Sequence, residues 1–190
     1  MTRKPSTTSL QKKWCNSTSS DIVTCFSVRH ASGVTTQNSK TPKPTNTQTM
    51  PKSVLRTIVY HLTKATRYCL KRGLRRIIYL GATGQREDHT LGNISLMVRY
   101  ALEMGVEPLM ATDFGWFVVA SGDAAFRSFP RQQVSLFNID CQALETEGLR
   151  WNGYPYRQFW QGTLNEAIGD CFTLKADGNY LIYRTYRAKA

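Results

Sequence analysis

Acidic residues are nearly absent from the first third of this 190-residue chain. Residues 1–60 contain nine Lys and Arg but a single acid, Asp21, and so carry +8 of the formal net charge of +12. Residues 61–190 are close to balanced at +4. A basic surface suggests an anionic partner such as nucleic acid. Because the globular part is nearly balanced, the positive total is weak evidence for a nucleic-acid-binding protein.

Paired cysteines and long apolar runs are also missing. The five cysteines are odd in number, and no two have CxxC spacing, which argues against a zinc site or a disulfide framework. No apolar run approaches the ~20 residues that span a bilayer, and no apolar h-region of a secretory signal is visible. We therefore expect reduced thiols in a cytoplasmic protein without a membrane span. The cysteines are Cys15, Cys25, Cys69, Cys141 and Cys171.

Residues 1–50 contain nineteen Ser and Thr and little periodic apolar signal. Such a composition buries too little surface to offset the entropy cost of ordering the chain. We expect residues 1–50 to be mostly disordered, with order beginning near Val54.

The middle of the chain alternates helical and strand patterns. Residues 62–73 and 88–104 have apolar residues at helical intervals, whereas residues 75–80 and 106–112 are typical of short buried strands. Gly73 suits the position just after a helix end. This order predicts an α/β layer with an open parallel sheet.

After Asp113 the pattern changes to short β-rich runs separated by Gly, Asp or Pro. Residues 170–187 alternate about the turn Ala176-Asp177-Gly178-Asn179, which predicts a β-hairpin. We expect residues 114–190 to form an antiparallel β domain, in the form of a sandwich.

The stretch YLGATGQREDHTLGN (79–93) joins a predicted strand to a predicted helix. Ligands of open α/β sheets bind at the carboxyl ends of strands, and helix N-termini attract anions. Small residues in Gly81-Ala82-Thr83-Gly84 let backbone N–H groups approach a phosphate. Arg86 can grip phosphate oxygens, Asp88 can hold magnesium or simply cap the helix, and His89 can position either of them.

GATGQREDHTLGN also resembles the G-A-x-G-G-R-x-D-H-x-x-x-N signature of thiamine pyrophosphokinases. Further resemblances follow in family order over about residues 62–187. They are LTKA (62–65) to the start of the T-D-x-x-K-A helix, VSLFNID (134–140) to the S-L-x-P strand, EGLRW (147–151) to G-L-K-W, and GTLNEAIGD (162–170) to G-x-S-N-E-x-I-G.

This resemblance implies transfer of a pyrophosphoryl group from ATP to the thiamine hydroxyl, giving thiamine diphosphate and AMP. It implies a partial ATP-binding α/β catalytic domain at 51–113, a thiamine-binding β-sandwich at 114–190, a Mg²⁺ cofactor and a homodimer. Arg86 and Asp88 would be catalytic, and Asp88 would hold the metal. Gly81, Thr83, Gly84, Arg86, His89 and Lys64 would bind ATP, and Trp151 and Asn165 would bind thiamine.

Three of these residues also have a purely structural interpretation. Trp151 would be core of the β domain, Asn165 would shape a turn, and Lys64 would be a solvated helix residue.

The N-terminal family motifs are missing. Residues 1–60 contain neither the Asp-Gly-Gly turn nor the Gly-Asp-x-Asp-Ser loop that supplies further magnesium ligands, and His61 replaces the Asp of T-D-x-x-K-A. Gln85 and Leu164 are smaller departures from the family pattern. A fragment or frame change upstream of Leu62 and a true replacement both stay open. We expect weak ATP binding and little turnover.

Two alternatives to an active enzyme also stay open. The first is a non-catalytic remnant of the family that still binds nucleotide or thiamine. The second is a protein that binds nucleic acid through its aromatic and basic stretch at 150–160.

Overall fold

The computed structural model of the chain describes residues 23–26 and 52–189, with side chains described from residue 61 onward. Two α-helices, ten β-strands and one 3-10 helix lie within these residues. In chain order they are β1 (Val23–Phe26), α1 (Lys52–Lys71), β2 (Arg76–Leu80), α2 (Glu87–Met104), β3 (Glu107–Ala111), β4 (Gly115–Ser121), β5 (Ala124–Arg127), β6 (Gln132–Asn138), β7 (Leu144–Glu147), the 3-10 helix (Phe159–Gly162), β8 (Asn165–Glu166), β9 (Cys171–Ala176) and β10 (Asn179–Ala188).

Helix α1 begins ten residues before the start that the sequence resemblance indicates. The expected helix start at residue 62 is wrong, and Lys64 lies in the interior of α1. The apolar residues of 54–62 keep helical spacing, and no Gly or Pro interrupts residues 52–71. At the other end, Gly73 has φ 78°. The N–H of Leu74 donates to Cys69 O at 3.1 Å, and the N–H of Gly73 donates to Leu70 O at 3.0 Å. This Schellman motif confirms the predicted role of Gly73.

Seven strands form one continuous sheet in the order β1-β2-β3-β4-β10-β6-β8. The pairs β1-β2 and β2-β3 are parallel, and the pairs from β3 onward are antiparallel. The domain boundary expected near residue 113 falls at the turn between β3 and β4. These two strands pair with each other, with Leu109 opposite Val118. The parallel strands and the C-terminal strands therefore share a single sheet. The remainder of the expected open α/β domain would lie in residues that the structure does not describe.

A second, antiparallel sheet has the order β5-β9-β7 and packs on the C-terminal part of the large sheet. Phe126, Phe172 and Leu174 of the small sheet share one core with Leu136 and Ile182 of the large sheet. The described C-terminal region is thus a sandwich of a mixed sheet and an antiparallel sheet, as expected.

The predicted hairpin at residues 170–187 is wrong in its pairing. Both strands form, but β9 pairs with β5 and β7, whereas β10 pairs with β4 and β6. The turn at Asp177-Gly178 therefore carries the chain from one sheet to the other. Alternating apolar residues predict a strand with one buried face. They do not predict which of two facing sheets the strand joins, because both sheets bury one face in the same core.

Both helices pack on the opposite face of the large sheet through a second core that includes Tyr79, Met97 and Tyr100. Two buried hydroxyl pairs fix α1 there. Thr63 Oγ1 lies 2.6 Å from Tyr100 Oη, and Thr66 Oγ1 lies 2.9 Å from Tyr79 Oη. Since buried polar groups need partners, these hydrogen bonds fix the position of α1 along its own axis relative to β2 and α2.

The expected lack of a stable fold in residues 1–50 falls outside the described residues, except that Val23–Phe26 form β1. Neither α1 nor α2 combines the length and the apolar character that a membrane-spanning helix needs.

Candidate functional site

The turn after β2 has the backbone geometry of a glycine-dependent loop. Gly81 and Gly84 have φ of 64° and 88°, a left-handed region that a side chain would disfavour. Ala82 is buried, and its carbonyl oxygen accepts a hydrogen bond of 2.7 Å from Asn93 Nδ2 of α2. The turn is thereby fastened to the helix that follows it.

Arg86 occupies the N-cap position of α2 in an extended conformation, and its side chain does not cap the helix. The interpretation of Asp88 as a plain N-cap residue is wrong, because Asp88 is the second residue of the helix. Glu87 and Asp88 both lie in the first turn, where negative charge is favourable. The helix N-terminus is therefore close to Arg86, a cation that can bind phosphate.

Arg86 and Asp88 form an exposed two-point ion pair. Arg86 Nε donates to Asp88 Oδ1 at 3.0 Å, and Arg86 Nη2 donates to Asp88 Oδ2 at 2.6 Å. The hydrogen bond from Arg86 is the main cause that holds the pKa of Asp88 below its ordinary value. The N–H of His89 also donates to Asp88 Oδ1 at 2.9 Å. An exposed ion pair contributes little stability, so a phosphate can take over the guanidinium at small cost.

A second carboxylate, that of Asp113, lies beside the same turn, and the sequence pattern did not identify it as a site residue. Asp113 follows β3, whose carboxyl end lies at the same edge as that of β2. Its Oδ2 lies 3.8 Å from the position that a Cβ on Gly84 would take. The available signal was the position of Asp113 at the end of a neighbouring parallel strand, where ligands of such sheets bind.

The other predicted ATP-binding residues differ in their surroundings. Thr83 and His89 are half-buried beside the turn, and Gly81 is exposed. Lys64 is exposed on α1. The turn and the first residues of α2 thus hold Gly81, Thr83, Gly84, Arg86 and His89, whereas a contact of Lys64 with ATP stays a prediction.

The described residues contain no cluster of three or more His, Cys, Asp or Glu that would hold a resident metal ion. Mg²⁺ commonly binds through one or two carboxylates together with substrate phosphates and water. Asp88 and Asp113 are carboxylates of this kind, and the described residues do not build a metal cage around them.

Trp151 and Asn165, the two predicted thiamine residues, are joined directly. Asn165 is only 4% exposed. Its Oδ1 accepts from the N–H of Trp151 at 3.2 Å and from that of Glu166 at 2.8 Å. Its Nδ2 donates to Trp151 O at 2.7 Å. Asn165 therefore positions the backbone of Trp151, and its oxygen is already occupied by two donors.

The Trp151 side chain is 53% exposed, so its interpretation as domain core is wrong. The guanidinium of Arg150 lies 5.2 Å from the Trp151 ring centroid and also pairs with Glu166 at 3.6 Å. The ring offers an open aromatic surface on a backbone that Asn165 holds in place. Such a surface can stack on a flat heterocycle.

Residues 151–168 carry six exposed large apolar side chains, called here the apolar patch. A monomer seldom leaves so many together in water. Phe159, at the start of the 3-10 helix, is anchored by an edge-on contact with Phe137 at 6.0 Å. Such a patch is a candidate interaction surface. Its members are Trp151, Tyr154, Phe159, Trp160, Leu164 and Ile168.

Comparisons with known proteins agree with this architecture. Residues 115–183 match the family model described as thiamin pyrophosphokinase, substrate-binding domain. A crystal structure of thiamine pyrophosphokinase from Bacillus subtilis has a TM-score of 0.58 and 18% identity, covering 67% of this chain and 63% of that chain. The enzyme from Geobacillus thermodenitrificans has a TM-score of 0.54 and 18% identity, covering 73% and 74%. A thiamin pyrophosphokinase family protein from Enterococcus faecalis has a TM-score of 0.56 and 17% identity, covering 67% and 63%.

The fold combines a glycine-dependent turn between β2 and α2 with a β-sandwich, and one large sheet runs through both. The resemblance to thiamine pyrophosphokinases is confirmed by the family match and by the fold. A search of curated proteins found no match. At these identities the solved structures establish the fold, and the chain spans 63% of the length of the Bacillus subtilis protein.

Proposed function

We propose that this chain binds ATP and thiamine and transfers a pyrophosphoryl group from ATP to the thiamine hydroxyl, slowly, giving thiamine diphosphate and AMP. The carrying observation is the match of residues 115–183 to the substrate-binding domain of thiamin pyrophosphokinases. The half-exposed ring of Trp151, positioned by Asn165, lies within that match.

The ATP phosphates would bind at the turn between β2 and α2. The left-handed conformations of Gly81 and Gly84 leave the backbone open to a close approach. Arg86 would exchange one exposed acceptor, Asp88, for phosphate oxygens that carry more charge. The N-terminus of α2 would add its partial positive charge.

Magnesium would enter with the nucleotide and be held by Asp88, with Asp113 as a second carboxylate beside Gly84. When bound, it neutralises charge on the transferring phosphates. Transfers of this kind depend on positioning and on charge stabilisation. Because the described residues offer two carboxylates and no larger cluster, we expect slow turnover.

Thiamine would stack on Trp151, while Asn165 would act as a positioning residue that holds the Trp151 backbone. We further propose a homodimer in which a second copy covers the exposed patch at residues 151–168. A cytoplasmic location, expected from the cysteine pattern, stays a prediction.

A binding protein without turnover is the second candidate. It is favoured by one observation, the two-point pairing of both Asp88 oxygens with Arg86. If nucleotide does not release Asp88, the chain would bind ATP and thiamine without forming product.

Replacing Trp151 by alanine is expected to weaken thiamine binding roughly tenfold, since an aromatic contact of this kind contributes about 1–2 kcal/mol. Isothermal titration calorimetry of thiamine into wild type and variant measures the change. Tyr68→Ala removes an aromatic ring of similar exposure on α1 and should bind thiamine as the wild type does. Equal affinity of Trp151→Ala and wild type would remove Trp151 from the site.

A further inference from the structure

A cavity of about 640 Å³ lies between the sandwich-side face of β3 and β4 and the edge strand β5. Its volume is within the range of about 300–1,000 Å³ typical of small-molecule sites. The residues that line it include none of the candidate site residues at 81–89, 113, 151 or 165. The cavity is therefore separate from the residues proposed above for ATP and thiamine.

Three aromatic residues line the cavity, namely Trp116, Phe126 and Phe129. The Arg184 guanidinium lies over two of these rings, 4.8 Å from the Trp116 centroid and 5.3 Å from the Phe126 centroid. Arg184 Nη1 donates to the backbone oxygen of Arg127 at 2.7 Å, which holds the guanidinium at this place. A flat apolar ligand would find aromatic surface and a fixed cation together.

The charged residues of the cavity wall favour an anion. Two arginines, Arg127 and Arg184, line the cavity, and Glu107 is the acid among its described lining residues. Glu107 pairs with Arg76 at 3.5 Å, so its charge is already compensated. A cavity with excess positive charge and low-dielectric walls attracts negative ligands.

Gln132 gives the cavity a buried acceptor. The residue is 1% exposed and lines the cavity, and its Nε2 donates to Thr185 O at 2.7 Å. Its Oε1 is buried and has no hydrogen-bond partner among the described residues. A buried acceptor without a partner is costly, and a ligand N–H or O–H would satisfy it.

We propose that this cavity is a second ligand site, for a planar aromatic anion that also carries a hydrogen-bond donor. The aromatic part would contact Trp116, Phe126 and Phe129, the anionic group would face Arg184, and the donor would reach Gln132 Oε1. The site is independent of the proposed transfer reaction.

The probe 8-anilinonaphthalene-1-sulfonate has all three features, since it carries two aromatic groups, a sulfonate and an N–H. Fluorescence titration of the full chain should show one site per chain. Arg184→Met should weaken binding at least about tenfold, because the sulfonate loses a hydrogen bond to a charged group. Arg187→Met removes the same charge from the exposed end of β10, outside the cavity lining, and should leave binding unchanged.

A second variant keeps the test decisive if Arg184→Met does not fold. Ala125 lines the cavity but is exposed on β5, so Ala125→Phe should narrow the entrance and weaken probe binding with little change in the melting temperature. Unchanged binding in Ala125→Phe, or an equal loss in Arg187→Met, would overturn the proposal.

Competition by two matched compounds tests the ligand class. Indole-3-carboxylate should displace the probe at concentrations at least about tenfold lower than indole-3-carboxamide, which has the same shape without the charge. Equal displacement by the two compounds would contradict an anion site.

Discussion

Replacing Arg86 by alanine is expected to weaken ATP binding roughly ten- to a hundredfold. A charge-assisted hydrogen bond to phosphate contributes about 1.5–3 kcal/mol, and the cost of leaving the exposed Asp88 pair is small. Calorimetric titration of ATP into wild type and variant at one fixed salt concentration measures the loss. The reduction should be uniform across ATP, ADP and pyrophosphate, because Arg86 would contact the phosphate chain and not the base.

Arg99→Ala is the matched control for this prediction. Arg99 is an exposed arginine of the same helix, paired with Glu103 at 2.7 Å, and it lies about three turns from the N-terminus of α2. Its removal takes away the same charge and a comparable ion pair, and it should change ATP affinity less than twofold. If Arg86→Ala bound ATP as tightly as Arg99→Ala, the stretch at 81–89 would be only a structural turn.

Gly162→Ala is expected to lower the free energy of unfolding by about 3 kcal/mol. A Cβ on Gly162 would lie 2.0 Å from Leu136 O and 2.8 Å from two ring carbons of Tyr156. Leu136 belongs to a central strand and Tyr156 is buried, so the backbone around the 3-10 helix would have to move. For a chain of this size the melting temperature should fall by roughly 6–12 °C, measured by calorimetry.

Gly169→Ala gives the comparison for this stability change. No atom lies within 4 Å of a Cβ placed on Gly169, and this glycine is not among those with positive φ. Its unfolding free energy should stay within about 0.5 kcal/mol of wild type. The two substitutions, seven residues apart in the same family motif, would then differ in their effect on the free energy of unfolding because of packing alone. A Gly162→Ala variant as stable as Gly169→Ala would show that this packing is looser than described.

Local patterns were sufficient to predict the elements that position the candidate site. The spacing in 88–104 predicted α2, and the small residues at 81–84 predicted a strand-to-helix turn, because glycine supplies left-handed conformations at little cost. The sequence of this segment does not reveal that Arg86 and Asp88 form an ion pair with each other. That contact depends on which residue takes the N-cap, and helix ends are the least certain part of a sequence-based prediction.

Long-range features were harder to derive. The strands β9 and β10 were predicted correctly as strands, but their partners depend on which of two facing sheets completes each one. Asp113 was interpreted only as a boundary, since its approach to Gly84 depends on the parallel pairing of β2 and β3. The family motif places a helix start at residue 62, but apolar residues continue at helical spacing upstream of it, and α1 begins at Lys52.

The activity that we propose is slow, thiamine-dependent cleavage of ATP to AMP. The most direct measurement incubates the full 190-residue chain with Mg²⁺, ATP and thiamine and quantifies thiamine diphosphate, AMP and ADP by chromatography. We predict thiamine diphosphate and AMP in equal amounts, formed slowly and reduced to background in Asp88→Asn. ADP in place of AMP, AMP formed equally without thiamine, or no thiamine diphosphate above the Asp88→Asn background would contradict it.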